Sequence, residues 1–308
     1  MIRVKYKIEG HIMHYHRFSK RTINFLIGAF LLLQILIITG CSNSLNSLSK
    51  GFFNQRTTQI NSQTDLINLK FLPAEYPENY VVINKNEPHF DKSVTAQINA
   101  QTNQIENYLQ QPVNNQIVNY QGLDNLGRTQ AVGSFIRFKD VLKRNSTITP
   151  RPAIPEASRI AGEFSDGAFN SDLGKWMGTH SNNRIVTING YRGYVFNKSH
   201  LLAWSLGGSM NSNNLIWGTR AQNVGTNKPN NPGGMAYPET QVRNFLRTNP
   251  NEVVYYSASP LYVDQELVPR GVQVQAISLR DPQKFHLNIW VFNAEAGVKL
   301  NYQTGSFI

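Results

Sequence analysis

The sequence has a single cysteine, Cys41, in 308 residues. One thiol excludes an internal disulfide framework and a cysteine-rich zinc site. Charge is also sparse: Asp, Glu, Lys and Arg make up 16% of the chain, against 40% hydrophobic residues. That balance describes a globular chain and argues against disorder. Acidic side chains are the scarcer sign, 19 against 30 Lys and Arg. No internal repeat is present, no His-x-x-x-His spacing, and neither a zinc-finger nor a helix-turn-helix pattern, so the chain carries no recognisable device for reading base sequence. Long apolar runs are absent too, with one exception.

The exception is residues 23–39, Ile-Asn-Phe-Leu-Ile-Gly-Ala-Phe-Leu-Leu-Leu-Gln-Ile-Leu-Ile-Ile-Thr, uninterrupted by charge. A basic segment precedes it, in which Arg3, Lys5, Lys7, Arg17, Lys20 and Arg21 face Glu9 alone. Such a pattern is an export signal or a membrane span and not part of a fold. Its positive flank stays cytoplasmic, which puts everything after it outside. Five of the eleven net positive charges therefore sit in the leader and six remain beyond it. An excess of that size suits a polyanion, either nucleic acid or an anionic surface, and equally suits plain solubility.

The apolar run ends Ile38-Thr39-Gly40-Cys41. This resembles a bacterial lipobox, which implies cleavage before Cys41 and a lipid on Cys41. The alternative is an uncleaved single-span anchor. Both readings put the protein on the extracellular face of the cytoplasmic membrane. The expected organisation is a cytoplasmic basic leader (1–22), an export signal or membrane segment (23–40), a Ser-, Asn-, Gln- and Thr-rich flexible linker (41–75) and a globular domain (76–308).

Within the domain, Val81-Val82-Ile83 and Ala131–Ile136 read as strands, 93–109 as a polar helical stretch, and 144–157 as a Pro- and Thr-rich loop. Val253–Tyr256 is β-branched and aromatic. Val272, Val274 and Ala276 alternate with glutamines, and Phe285, Leu287, Ile289 and Val291 alternate with His286, Asn288 and Trp290. Period-two alternation predicts strands with one buried face. Glu239, Val242, Arg243, Phe245 and Leu246 have helical spacing behind Pro238, a good first-turn residue. The expected class is α+β, with a mainly antiparallel sheet and flanking helices.

Of seven histidines, His11, His14 and His16 belong to the leader. His89 and His180 fall in loops, and His286 is expected to face solvent from a strand. His200 differs. A short apolar strand runs through Asn197-Lys198-Ser199 into it, and the apolar Leu201-Leu202-Ala203-Trp204 follows. On pattern alone this is a satisfied structural histidine more often than a catalytic one. No carboxylate pair lies nearby, and Ser199 is discounted as a nucleophile because adjacent side chains rarely meet.

Downstream stand Asn214-Leu215-Ile216, Gly218-Thr219-Arg220 and Asn223. Together with Asn197-Lys198-Ser199-His200-Leu201 they resemble the bacterial DNA/RNA non-specific endonucleases, in particular the streptococcal secreted DNases and the DNA-entry nuclease type. Better-known members have Asp-Arg-Gly-His where this chain has Asn197 to His200. Leu123–Arg128, Leu267–Val272 and the tail from Asn293 to Gly305 extend the likeness over roughly residues 76–305.

The resemblance implies a ββα-metal motif and phosphodiester hydrolysis of DNA, with RNA as a second substrate. It implies Mg²⁺ as cofactor, with Mn²⁺ able to replace it. A neutral imidazole can take the proton of an attacking water, which gives that role to His200. Mg²⁺ keeps several waters, so a single amide oxygen, that of Asn223, suffices to hold it. Asn214 is expected to position His200 or a metal-bound water, or else to be a turn residue. Arg220 is expected to bind phosphate through its planar fork, or to make a structural salt bridge. Glu239 is expected to hold metal waters, or to be a helix-start carboxylate favoured by the dipole. Lys198 keeps the charge of the usual Arg without its bidentate geometry and is read as a nucleic-acid contact, not a catalytic group. The competing reading is a catalytically silent surface nucleic-acid-binding lipoprotein serving DNA uptake.

Overall fold

A computed structural model describes residues 57–308, apart from 189, 190 and 229. The leader, the apolar segment 23–40 and Cys41 lie outside the described residues. No helix among the described residues is long and apolar enough to cross a membrane.

In chain order the strands are β1 (Thr57–Thr58), β2 (Tyr80–Ile83), β3 (Val118–Tyr120), β4 (Val132–Arg137), β5 (Ala168–Asn170), β6 (Lys175–Met177), β7 (Ile185–Ile188), β8 (Tyr191–Tyr194), β9 (Phe196–His200), β10 (Leu215–Thr219), β11 (Val253–Leu261), β12 (Gly271–Ser278) and β13 (His286–Phe292). The helices are α1 (Gln63–Asn68), α2 (Lys92–Thr102), α3 (Ile105–Gln110), α4 (Phe138–Lys143), α5 (Arg220–Val224) and α6 (Ala236–Thr248). Seven strands form the main sheet in the order β1-β2-β13-β12-β11-β4-β3. All its pairings are antiparallel except β1 with β2. This is the α+β class expected from the alternating strands.

One face of the sheet carries the principal core. Val254, Tyr256 and Ala258 of β11, Val272, Val274 and Ala276 of β12, and Leu287, Ile289 and Val291 of β13 pack there against Val242 and Leu246 of α6 and against Leu201, Leu202 and Leu206. Burying each of the Val, Leu and Ile side chains contributes on the order of 2 kcal/mol. Helix α6 starts at Ala236, so Pro238 falls in its first turn, where its missing N–H costs nothing.

Two expectations need correction. Strand β13 is buried on both faces: Asn288 and Trp290 are inaccessible as well as the alternating aliphatics. The second cover comes from the segment expected to be a linker. Ile60 and Leu66 pack with Val81, Ile83, Trp290 and Phe292, and Ser62 and Asp65 close a reciprocal capping box on α1, which satisfies free N–H groups at the helix start. Ordered structure is therefore present from Thr57, within the stretch expected to be a tether up to residue 75. The polar residues there are caps and turns around two apolar anchors. His286 is only partly exposed and lies 3.6 Å from Glu87.

Arg137, at the end of β4, is fully buried with Asp140 and meets it through two hydrogen bonds of 2.8 Å. The remaining guanidinium donors reach the carbonyls of Tyr108, Gln111 and Pro112. A buried ion pair is tolerable when its donors are all used. Here they tie α3 and the chain after it to the sheet edge.

Candidate active site

Strands β9 and β10 form an antiparallel hairpin in which His200 pairs with Leu215 and Phe196 with Thr219. Helix α5 follows without a break. Thr219 caps it, its hydroxyl accepting from the Gln222 N–H at 3.0 Å. The cap is itself anchored. Asn293, at the end of β13 and fully buried, accepts from the Thr219 N–H at 2.9 Å and donates to the carbonyls of Trp217 and Pro269. A strand–strand–helix unit is thus pinned to the main sheet, and the chain after α5 turns tightly back into α6. Gly234 makes that turn with φ +53°, and a Cβ there would lie 2.2 Å from the Gln222 carbonyl oxygen.

This scaffold brings His200, Asn223 and Glu239 to one cleft of about 500 Å³. His200 is 6% exposed. Its Nδ1 lies 3.5 Å from Arg151 Nη2 and its Nε2 lies 3.1 Å from Met210 Sδ. Burial, reinforced by the Arg151 charge, pulls its pKa down to about 4, so the imidazole is neutral at physiological pH and free to accept a proton. Asn223 Oδ1 accepts from the Ser199 hydroxyl at 3.2 Å, which orients the amide and leaves a second lone pair on that oxygen. Burial raises Glu239 to a pKa of about 7, offset in part by Arg243 and Arg151.

Four arginines border the cleft: Arg144 and Arg151 from the loop after α4, Arg243 and Arg247 from α6. Arg243 is held by Ser205, Thr240 and, at 3.9 Å, Glu239. Arg144, Arg151 and Arg247 have no ion pair with a carboxylate among the described residues. Uncompensated guanidinium groups around a concave site are the electrostatic footprint of a phosphate-bearing ligand.

Three of the sequence-derived assignments do not reach this cleft. Asn214 is fully buried. Its Oδ1 accepts from the Leu202 N–H and its Nδ2 donates to the carbonyls of Leu202 and Ser209, so its amide is spent clamping the loop after His200 and does not bond the imidazole. Arg220 stacks on Tyr191, 4.3 Å above the ring, and lines a separate cavity with Glu295. Helical side chains lean toward the N-terminus, and from the first position of α5 that carries Arg220 away from Asn223. Lys198 makes a 2.9 Å ion pair with Glu163 and donates to the Ser158 carbonyl, so its charge is spent inside the protein. The sequence reading missed Arg151, Arg144 and Arg247 and gave Arg243 only a place in the helix. Arg243 had a signal, four residues after Glu239 on the same helical face. The two loop arginines had none.

The profile of the family described as DNA/RNA non-specific endonuclease matches residues 177–278, the stretch holding the hairpin, α5 and α6. A deoxyribonuclease of Streptococcus dysgalactiae subsp. equisimilis is 37% identical over 150 residues, 47% of this chain and 44% of that protein. The match thus spans less than half the length of that curated relative. The structure of the nuclease Sda1 with a bound zinc ion superimposes with a TM-score of 0.53 at 33% identity, over 62% of this chain and 80% of that one. NucA from Streptococcus agalactiae with magnesium bound shares the fold, with a TM-score of 0.50 at 19% identity over 78% of this chain and 90% of that one. With a third of its residues identical over four fifths of a solved nuclease, and with the strand–strand–helix unit in place, the chain belongs to the DNA/RNA non-specific endonuclease family.

Proposed function

We propose that the protein is a divalent-metal-dependent endonuclease that cuts DNA, and RNA as a second substrate, with little sequence preference. The observation that carries this reading is the convergence of a neutral buried His200, the Asn223 amide oxygen and the Glu239 carboxylate in one arginine-rimmed cleft.

The donor set fits Mg²⁺ or Mn²⁺. Asn223 Oδ1 is a hard oxygen ligand held in place by Ser199, and Glu239 offers a carboxylate in the same cleft. Among the described residues there is no cluster of three or more His, Cys, Asp or Glu that could hold a metal, as suits an ion that keeps most of its waters. Asn223 would bind the ion and Glu239 would hold its waters. When bound, the ion supplies positive charge to the phosphoryl oxygens and the leaving 3′-oxygen. His200 accepts the proton of the attacking water. Arg151 and Arg243 grip phosphate oxygens beside it through planar donor forks. Contacts to the backbone alone favour no base sequence.

We also propose that the enzyme acts at the extracellular face, held by lipid on Cys41 or by residues 23–40 as a single span. Lipid labelling that persists in Cys41→Ala would remove the first option.

The activity is tested by incubating the full chain with plasmid DNA and with RNA, in Mg²⁺, in Mn²⁺ and in chelator. Cutting in either metal and none in chelator is expected. Tight binding without cutting in any metal would instead support the silent surface receptor.

A further inference from the structure

His200 has no carboxylate or carbonyl partner on either ring nitrogen among the described residues. It is held between two groups of opposite hydrogen-bonding character. On the cleft side, Arg151 Nη2 lies 3.5 Å from Nδ1. A guanidinium has only donors and keeps its proton in proteins, so it can meet Nδ1 favourably only if that nitrogen carries the lone pair. On the buried side, Met210 Sδ lies 3.1 Å from Nε2. A thioether has no hydrogen to give, so it can meet Nε2 favourably only as an acceptor. Both partners demand the same tautomer.

We propose that Met210 is a positioning residue that holds His200 as the Nε2–H tautomer, with Nδ1 the proton-accepting atom once Arg151 turns from it to a substrate phosphate. The proposal deepens, and rests on, the reading of His200 as the base. The sulfur is well placed for the task. Met210 is 7% exposed, and the residue before it is fixed from both sides. The Ser209 N–H donates to the Tyr120 hydroxyl at 2.8 Å, and its carbonyl accepts from Asn214 Nδ2 at 2.8 Å. The loop from His200 to Asn214 is therefore a brace that presents sulfur to imidazole, and this is the indirect route by which buried Asn214 bears on the base. Removing the sulfur leaves a buried Nε2–H without an acceptor. A neutral ring can relieve that by moving the proton to Nδ1 or by turning over, and either change takes the lone pair out of the cleft.

The test uses the full chain labelled with ¹⁵N in histidine, the His200 signals being those missing from His200→Ala. Two-bond ¹H–¹⁵N correlations distinguish the tautomers directly, without reference to activity. The wild type should show His200 as Nε2–H alone. In Met210→Leu, which conserves volume, the Nδ1–H form or ring exchange should appear, with kcat down about tenfold and KM within about twofold. Global replacement of methionine by norleucine, a methylene in place of each sulfur, should give the same spectral change and decides the matter if Met210→Leu does not fold. A wild-type spectrum showing Nδ1–H, or a sulfur-free protein with unchanged tautomer and unchanged kcat, would overturn the proposal while leaving the nuclease reading intact. Absence of cutting by a wild type that shows the Nε2–H pattern would overturn the nuclease reading alone.

Discussion

Two concave regions lie on opposite faces of the main sheet, and they differ in chemistry more than in size. Side chains alternate along β11. Val254, Tyr256 and Ala258 face the core that supports His200, and Tyr256 donates its hydroxyl to the Leu201 carbonyl at 2.9 Å. Tyr255, Ser257 and Ser259 face the other way and floor a groove of about 890 Å³. That groove is larger than the His200 cleft, but no Lys or Arg among the described residues lines it. Amides and hydroxyls share its walls with apolar side chains such as Ile60, Leu66, Phe90 and Val94, and some amides are already bonded: Gln273 to Asn288 at 3.0 Å and Gln275 to the His89 N–H at 2.6 Å. The smaller cleft has four arginines, a buried histidine and a half-buried carboxylate. Volume thus does not single out the proposed site. Unpaired charge beside a desolvated titratable group is what marks it as the candidate.

The comparison is broken most sharply by removing the proposed base. His200→Ala is expected to lower kcat by about a thousandfold with KM changed little, since general base catalysis contributes 10²–10⁴. Single-turnover cleavage of plasmid DNA measures it, and a variant cutting within tenfold of wild type would end the assignment. Asn223→Ala comes next. It should raise the Mg²⁺ concentration for half-maximal cutting by one to two orders of magnitude, with partial recovery in excess metal. A metal titration showing the same half-maximal point would remove Asn223 from the ion.

Glu239 sharpens the contrast through pH. Its pKa of about 7 lies above the ordinary carboxylate value because burial disfavours the charge. Between the ordinary value and 7 the folded protein binds more protons than the unfolded chain, so this group's contribution to stability falls as pH rises through that window. Glu239→Gln removes the dependence. Its melting temperature should exceed wild type by a margin that grows from pH 5 to pH 8, while its activity falls about tenfold. His200 acts in the opposite sense. Its folded pKa of about 4 lies below the ordinary 6.5, so stability rises with pH between those values, and His200→Ala should flatten that part of the curve. Thermal melts across pH 4–8 separate the two, and a margin for Glu239→Gln that is constant with pH would contradict the buried-carboxylate reading.

These residues also show what a sequence can and cannot reveal. The sheet was legible because period-two alternation is a direct image of one buried face, and β12 obeys it, while β11, whose first four residues are all buried, showed itself by its β-branched and aromatic content. Strand β13 departs from it because the segment after Thr57 covers its second face, a long-range contact without local trace. His200, Asn223 and Glu239 came into view only through the resemblance of the motifs around the hairpin to a nuclease family, and the structure lines one cleft with all three. Asn214 belonged to the same pattern but serves the scaffold, and so does Asn293, which anchors the Thr219 cap. Arg144 and Arg151 left no signal because a loop of Pro and Thr has no period. Only the folded chain brings Arg151 to His200.

The arginines give a smaller and different effect. Arg144→Ala and Arg247→Ala each remove one cation without an ion-pair partner from the cleft rim. Each should weaken substrate binding a few-fold, uniformly across sequences, and should lower the slope of log KM against log salt by about 1, as expected for one lost phosphate contact. Lys198→Ala is the internal contrast. Its ammonium is paired with Glu163, so the slope should stay as in wild type and only stability should fall. A salt slope that drops for Lys198 and not for the arginines would reverse the assignment of the binding surface.

The smallest effect belongs to the groove on the far face. Gln121→Ala and Ser259→Ala alter its lining without touching the core, the hairpin or an arginine. Nucleic acid brings a phosphate charge with every nucleotide, and a surface of amides, hydroxyls and apolar side chains that includes the carboxylates of Glu87 and Asp91 and, among the described residues, no Lys or Arg returns no Coulomb attraction for it. Desolvating such a surface against a polyanion gains nothing that water did not already supply. Both variants should therefore cut DNA with kcat/KM within about twofold of wild type and with an unchanged salt slope. A loss beyond fivefold in either, at unchanged melting temperature, would mean that the substrate wraps past the edge of the sheet and that the polarity contrast between the two faces does not mark the boundary of the binding surface.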